Sequence, residues 1–122
     1  MAAFNIAFDA PDNATGRCPS NERPIDLVHL ATMTMGNKVL EIEVLQMFSR
    51  QARGALVSLG SGSADLVMAA AHRLKGAAAA VGAFKVAAAA QALEDMGPDA
   101  GKIAAVGDAV IEAENFILKL CR

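Results

Sequence analysis

Residues 64–81 read ADLVMAAAHRLKGAAAAV, and this stretch decides the fold that we expect for the chain. Alanine is the strongest helix former, so the stretch predicts a helix from about Ala64 to Val81. A helix turns about 100° per residue, which places every large aliphatic side chain except Met68 opposite His72. That predicted core face consists of Leu66, Val67, Ala70, Leu74, Ala77, Ala78 and Val81. We therefore expect the imidazole of His72 to point away from the core.

The face around His72 is not the charge-rich face of an ordinary outer helix. Lys75 and Gly76 are surface neighbours of His72, because residues three and four apart in the sequence share a helix face. Apart from Asp65, which capping next to Ser63 explains, the face is shallow and apolar. Small residues allow a partner's backbone to approach closely, methionine adapts to irregular surfaces, and an exposed apolar surface usually marks a protein-binding site. The residues predicted to bind a partner here are Met68, Ala69, Gly76 and Ala79.

Composition and patterning predict helices on both sides of this stretch. Hydrophobic residues make up 54% of the chain and aromatic residues only 4%, a mixture that favours slender, close-packed helices over a sheet. Upstream, Pro24 and Asp26 open a short helix, Asn37 caps a longer one, and Ser63 caps the central helix. The apolar positions of the two upstream helices are Leu27, Leu30, Met33, Leu40, Val44, Met47, Phe48, Ala55 and Leu59.

Two more helices are predicted downstream. Gly82 ends the central helix, a fourth helix runs from about Phe84 to Met96, and Asp99 caps a fifth. Apolar residues of the fifth helix recur at spacings of three and four, the narrow stripe of one member of an antiparallel bundle. They are Ile103, Val106, Val110, Ala113, Ile117 and Leu120. We predict one all-α domain over residues 23–122, preceded by a loosely ordered arm, residues 1–22, that has no periodicity.

A second polar group is predicted beside His72. We expect the third and fourth helices to form an antiparallel hairpin about Gly82. In such a hairpin, two residues whose numbers sum to about 166 lie at the same height along the bundle. His72 is then opposite Glu94, and Lys75 is opposite Gln91. A carboxylate that accepts from the Nδ1–H of His72 would leave Nε2 as an outward nucleophile. A nucleophilic imidazole with a cation beside it is an arrangement suited to carrying a phosphoryl group. Lys75 would then offset the negative charge of that group. Gln91 is a further predicted binding residue, and ordinary surface roles for Glu94 and Gln91 remain open alternatives at this point.

Charge and cysteine usage exclude several classes of partner. Eleven basic residues against thirteen acidic ones give a net charge of −2, so there is no basic field for a nucleic acid. The start of the chain lacks the basic region of a signal peptide, and we expect neither a membrane span nor a membrane partner. Cys18 and Cys121 have no metal-ligand spacing, which favours a reduced, cytoplasmic protein, although a disulfide between them is possible.

The run His72-Arg73-Leu74-Lys75-Gly76 resembles the H-x-L-K-G signature of histidine-containing phosphotransfer domains, the relay modules of two-component signalling. The likeness extends from about Pro24 to Arg122. It includes the Val81-Gly82-Ala83 break, the Ile25-Asp26-Leu27 opening, Phe48, and an acidic or amide residue at the position of Glu94. The helices of this chain are unusually rich in alanine, and the first twenty or so residues match nothing in the family.

The resemblance implies an antiparallel up-down four-helix bundle with a short additional N-terminal helix. It also implies that His72 is phosphorylated on Nε2, with Lys75 as the cation near the phosphate and Glu94 as the partner of the ring. The phosphoryl group would come from the aspartate of a response-regulator receiver, or of the receiver in a hybrid histidine kinase. It would leave to another receiver.

The expected protein is a monomeric phosphocarrier without kinase activity of its own. The sequence has no nucleotide-binding loop and no room for a nucleotide-binding domain. We expect no metal and no cofactor, since the receiver would supply the metal that phosphoryl transfer needs. The alternative is a helical docking module that binds a receiver or a histidine kinase without accepting phosphate.

Overall fold

The computed structural model describes residues 23–121, and over this range the chain forms five α-helices and no strand. They are α1 (Leu27–Met33), α2 (Lys38–Leu59), α3 (Ala64–Val81), α4 (Phe84–Met96) and α5 (Ala100–Leu120). The predicted all-α class is confirmed. The predictions for the arm (residues 1–22, with Cys18) and for Arg122 concern residues outside the described range.

The helix starts follow the predicted capping residues. The side chains of Asp26, Asn37, Ser63 and Asp99 each accept a hydrogen bond from a backbone N–H in the first turn of the helix that follows. Such a cap satisfies one of the four N–H groups that a helix start leaves without a partner, and contributes roughly 1 kcal/mol. The start of α4 differs, because Ala83 stands in the cap position and offers no side-chain acceptor.

Helices α2 to α5 pack as a four-membered ring. Each packs against the next along the chain, and α2 also packs against α5, where Arg53 pairs with Glu114. His72, ten residues before Gly82, contacts Glu94, twelve residues after it, so α3 and α4 are antiparallel. Such antiparallel neighbours are what short connections impose on consecutive helices of a bundle. The face of α3 that carries His72 therefore lies on the outside of an α3–α4 hairpin.

The core is built mainly from small and medium-sized aliphatic residues. On α3 the buried set includes Val67, Ala70, Leu74, Ala78 and Val81, as predicted, and the predicted stripe of α5 is buried from Val106 to Ile117. Ala71, beside His72 in the sequence, is also fully buried. The side chain of His72 is thus carried by a helix whose other faces are fixed in the core.

Several apolar positions predicted for the core face are exposed instead. Leu66 lies in the first turn of α3 and is 53% exposed. On α2 the buried stripe follows Leu45, Phe48, Ala52 and Leu59, which turns Met47 outward. The predicted positions that lie at the margins of the bundle and are exposed are Met33, Leu40 and Leu120.

Helix α1 lies against the turn between α3 and α4. The backbone N–H of Asp26 donates to the carbonyl of Gly82 at 2.8 Å, and Nε2 of His29 lies 3.2 Å from the carbonyl of Ala80. The His29 ring also meets Phe84 edge to face. His29 therefore helps to hold α1 on this turn.

None of the helices between residues 23 and 121 combines the length and the apolar character that crossing a membrane requires.

Candidate functional site

His72 lies on the outer ridge of α3. Its neighbours Ala71 and Leu74 are buried in the core, so the helix cannot rotate about its axis without exposing them. The His72 side chain is 70% exposed. The imidazole is therefore presented to solvent from a rigid helix rather than from a loop.

Glu94 meets this imidazole from the adjacent helix. Leu93 and Ala90 of α4 are fully buried, which fixes the helix rotation that turns Glu94 toward α3. Oε2 of Glu94 lies 2.9 Å from Nδ1 of His72, within hydrogen-bond distance. The level pairing argued from a hairpin about Gly82 thus corresponds to an actual contact.

Lys75 approaches the same carboxylate from the His72 side. Its ammonium lies 2.8 Å from Oε1 of Glu94. One carboxylate oxygen of Glu94 therefore contacts Lys75, and the other contacts His72. Oε1 is buried and has no aligned hydrogen bond from a described group, which makes the contact to Lys75 an ion pair. The Lys75 and Glu94 side chains are only 31% and 20% exposed, against 70% for His72. The ring is the accessible member of this trio.

The contacts to Glu94 also fix its charge. The contact with the Lys75 ammonium, and then that with His72, hold the pKa of the Glu94 carboxyl below its usual value of 4.5. Glu94 is consequently a carboxylate near neutral pH and can only accept a hydrogen bond, so Nδ1 of the ring has to be the donor. In a neutral imidazole with its proton on Nδ1, Nε2 carries the free lone pair. The site can therefore offer one outward nitrogen as a nucleophile.

The surface around the His72 ring is formed mainly by small side chains. Ala69, Gly76 and Ala79 are exposed, and Met68 is half-buried. A Cβ built at Gly76 would meet no atom within 4 Å other than the adjoining backbone of its own helix and its chain neighbours, so neither packing nor backbone conformation requires a glycine there. The four predicted binding residues of α3 thus lie on one ridge with His72. Gln91 does not join them, because its amide donates along its own helix to Asp95 at 2.8 Å.

The flank of α3 that faces α2 carries a groove that sequence reasoning did not predict. It has a volume of about 380 Å³ and is lined by Arg73, Ala70 and Leu74 of α3 together with Gly54 and Gln51 of α2. Arg73 is the charged residue of the groove lining. Finding the groove needs the packing of α2 on α3, which sequence periodicity alone does not give.

No cluster of three or more His, Cys, Asp or Glu side chains that could hold a metal ion occurs between residues 23 and 121. The polar groups of the site consist of one imidazole, one carboxylate and one ammonium, a set suited to proton placement and charge stabilisation.

Comparison with protein families matches residues 43–119 to the Hpt domain. The match covers α3, α4 and all but the first five residues of α2, and it ends one residue before the end of α5. Curated proteins and solved structures gave no significant match to the chain.

Proposed function

The chain belongs to the Hpt domain family, whose members serve phosphotransfer in phosphorelay signalling, and from this premise we propose that His72 carries the phosphoryl group. Hpt domains are phosphocarrier modules rather than kinases, so the phosphoryl group has to arrive from another protein. The proposed donor is a phosphorylated aspartate of a response-regulator receiver or of a hybrid histidine kinase. The proposed acceptor is the aspartate of a second receiver.

In the proposed reaction the lone pair of Nε2 attacks the phosphorus of the aspartyl phosphate. The N–P bond forms as the bond from phosphorus to the aspartate oxygen breaks, and the donor aspartate leaves as a carboxylate. The proton on Nδ1 stays on the ring, so the phosphorylated imidazole bears a positive charge. Transfer to the second receiver reverses these bond changes.

Glu94 has two tasks in this reaction. Its hydrogen bond with Nδ1 selects the tautomer in which Nε2 is free, and its negative charge stabilises the ring once Nε2 is phosphorylated. Because the Glu94 pKa is lowered, the carboxylate does not take the Nδ1 proton in the reaction at neutral pH. Such fixed charge, present before the reaction begins, needs no reorganisation when the transition state forms.

Lys75 is proposed to stabilise the phosphoryl group itself. Phosphoryl transfer depends mainly on positioning and on electrostatic stabilisation of the phosphoryl oxygens. The ammonium lies one helix turn from His72 and is held by Glu94, so it is already near the ring before a phosphoryl group arrives. Gly76, Ala69, Ala79 and Met68 form the proposed docking surface, on which a receiver can bring its aspartate to Nε2. Gln91, whose amide donates to Asp95, is kept as a proposed binding residue on α4.

The proposal has the protein act as a monomer in the cytoplasm, with receiver domains and hybrid kinases as its partners and without a nucleic acid or a membrane. The observation that carries it is the 2.9 Å contact of Glu94 with Nδ1 of a histidine whose side chain is 70% exposed. That combination supports a reactive, accessible Nε2.

The chain supplies a matched control for the central experiment, because it contains two histidines. The full chain and its His72→Gln and His29→Gln variants are incubated with a ³²P-labelled receiver, and acid-labile, base-stable label on the chain is measured. We expect label on the wild type and on His29→Gln and none on His72→Gln. Label on His72→Gln equal to that on the wild type would remove His72 from the mechanism.

A small donor separates chemistry from docking. Phosphoramidate phosphorylates an accessible imidazole without a protein partner, so it tests Nε2 directly. The wild type should become labelled by both donors. If the wild type binds the receiver yet takes no label from either donor, the chain is a docking module and not a phosphocarrier.

A further inference from the structure

One end of the bundle, formed by α1, the start of α2 and the end of α5, exposes many large apolar side chains; we call it the α1 end. Met35 is 92% exposed, Val28 and Val39 are each 68% exposed, and Leu118 is 63% exposed. Large apolar side chains left exposed at one end of a domain usually mark a contact site. The α1 end is separate from the ridge that carries His72, which lies ten residues along α3 from the Gly82 turn.

A groove enters the bundle at the α1 end. It has a volume of about 190 Å³, and its apolar lining comes from Leu27 and Leu30 of α1, Ile42 and Leu45 of α2, and Leu120 of α5. Lys38 and Glu41 form an ion pair at 3.5 Å and are the charged residues of the lining. Pockets that enclose small molecules are usually about 300–1,000 Å³, so this groove is suited to a few apolar side chains instead.

The chain itself has an apolar segment that is attached at this end. Residues 1–10, MAAFNIAFDA, contain eight hydrophobic residues, whereas residues 11–22, PDNATGRCPSNE, contain two. Two of the five phenylalanines of the chain, Phe4 and Phe8, fall in the first segment. The residues that follow the arm are already fixed here, since Ile25 is fully buried and Leu27 lines the groove.

We propose that the segment Phe4–Phe8 (FNIAF) docks in the groove at the α1 end. The polar residues 9–22 that separate it from the bundle are sufficient to span the distance. Fourteen extended residues cover up to roughly 45 Å, and Leu27 is only four residues from Arg23, within about 14 Å of it. A segment tethered this closely has a high effective concentration at the groove, which favours it over a free partner. The proposal does not depend on the phosphotransfer function.

Cys121 provides a reporter for this contact. It directly follows Leu120, which lines the groove, and its side chain is a half-buried free thiol. In the full chain with Cys18→Ser, a new thiol is introduced by Asn5→Cys, which keeps Phe4, Ile6 and Phe8. The matched control is Asn13→Cys in the same background, in the polar part of the arm. Intramolecular disulfide formation with Cys121 under mild oxidation is followed on non-reducing gels.

Docking and a freely moving arm predict opposite orders of rate. Asn5 lies eighteen residues from Arg23 and Asn13 lies ten residues from it. In a free tether the rate falls roughly as the −3/2 power of length, so the Asn5→Cys thiol should react roughly twofold slower than the Asn13→Cys thiol. Docking should instead make the Asn5→Cys thiol react about fivefold faster. Adding Ile6→Asp and Phe8→Asp to the Asn5→Cys chain should then restore the slower rate.

Three results would overturn the proposal. If the Asn5→Cys thiol reacts no faster than the Asn13→Cys thiol, or if its rate is insensitive to the two aspartates, the segment does not occupy the groove. Disulfide-linked dimers as the main product would show that a second copy of the chain covers the α1 end instead. Because no phosphoryl transfer is measured, these results are independent of the role of His72.

Discussion

At the scale of single residues, Glu94 stands between the two groups that we propose for phosphoryl transfer. One carboxylate oxygen meets Nδ1 of His72 and the other meets the ammonium of Lys75. Removing the carboxylate therefore acts on both groups at once, because the His72 ring loses its hydrogen-bond acceptor and the Lys75 ammonium loses its ion pair. An effect larger than that of a single lost hydrogen bond is expected, because interactions in one network are not additive.

The first prediction concerns this carboxylate. Glu94→Gln keeps an oxygen that can accept from Nδ1–H but removes the negative charge that stabilises the phosphorylated ring. We expect the rate of label uptake to fall about 10- to 100-fold, the range seen when carboxylates that orient metal-binding histidines are changed. The rate is measured with both a phosphorylated receiver and phosphoramidate. Asp95→Asn, the adjacent exposed carboxylate on α4, is the control, and equal rates for the two variants would assign Glu94 to a surface role.

The second prediction concerns pH and stability. The Glu94 pKa is lowered by Lys75 and then His72, from a usual value of 4.5 that applies to the unfolded chain. The stabilisation by the ionised form is therefore complete above the unfolded value and is lost as the pH falls through the folded value. The difference in unfolding free energy between the wild type and Glu94→Gln should shrink as the pH is lowered from about 7 to about 3.

Urea unfolding followed by far-UV circular dichroism checks this prediction, because the chain has no Trp or Tyr to serve as a fluorescent probe. The other carboxyl groups titrate in both proteins, and their contributions largely cancel in the difference. A difference that stays constant over the whole pH range would show that the folded state does not stabilise the ionised form of Glu94.

The contact between His72 and Glu94 could be predicted from the sequence, whereas the contact of Lys75 could not. The first needs only a hairpin with its turn at Gly82, which sets the levels of residues on two adjacent helices. The second depends on the rotamer of a long side chain, and level pairing assigns Lys75 to Gln91 instead. Gln91 has a nearer partner one helix turn away, Asp95, and its amide bonds there.

At the scale of elements, the turn between α3 and α4 sets the geometry of the site and also holds α1. Gly82 has φ +87°, the left-handed conformation that ends α3, and its carbonyl accepts from the N–H of Asp26. A Cβ on Gly82 would lie 2.9 Å from the carbonyl oxygen of Asp26 and 3.3 Å from the His29 ring. The backbone conformation and the close approach of α1 both require glycine at this position.

The third prediction compares two glycines of the hairpin. Gly82→Ala should lower the free energy of unfolding by roughly 2 kcal/mol or more. The alanine would have to adopt a left-handed backbone conformation, and its Cβ would also clash with the backbone carbonyl of Asp26. Gly76→Ala is the control and should raise it by about 1 kcal/mol, since alanine is the better helix former. The same urea experiment measures both variants. A Gly82→Ala protein as stable as the wild type would show that neither the left-handed conformation nor the close approach of α1 requires glycine at this position.

Helix ends are easier to predict from this sequence than helix faces, for a physical reason. A cap is a local interaction, and Asp26, Asn37, Ser63 and Asp99 carry enough information to place four starts. The buried face of α2 depends on which neighbours cover it. Apolar residues surround much of that helix, so its sequence does not distinguish Leu45, which is buried, from Met47, which is exposed.

At the scale of the whole molecule, the bundle separates two surfaces. The ridge of α3 presents His72 among small residues, while the α1 end gathers large apolar side chains around a groove. The ridge could be predicted, because it lies on one helix and one hairpin. The α1 end and the α2–α3 groove could not, because they arise where helices distant in the sequence meet.

The last prediction tests the ridge as a docking surface. Gly76→Gln places a flexible side chain one turn from His72, where no atom other than the adjoining backbone of its own helix and its chain neighbours lies within 4 Å of the added Cβ. Glutamine favours a helix more than glycine does, so the variant should be at least as stable as the wild type. A receiver must approach closely enough to bring its aspartate to Nε2. We therefore expect uptake from a receiver to fall about tenfold or more, equivalent to at least about 1.4 kcal/mol of lost association energy.

Uptake from phosphoramidate should stay within about twofold of the wild type, since a small donor does not need the ridge and gains no binding energy from it. Ala104→Gln, an exposed substitution on α5, is the control for adding the same side chain elsewhere. Loss of uptake from both donors would place Gly76 in the chemistry rather than in docking. Unchanged uptake from the receiver would show that the receiver approaches His72 from another side than the one that Gly76 occupies.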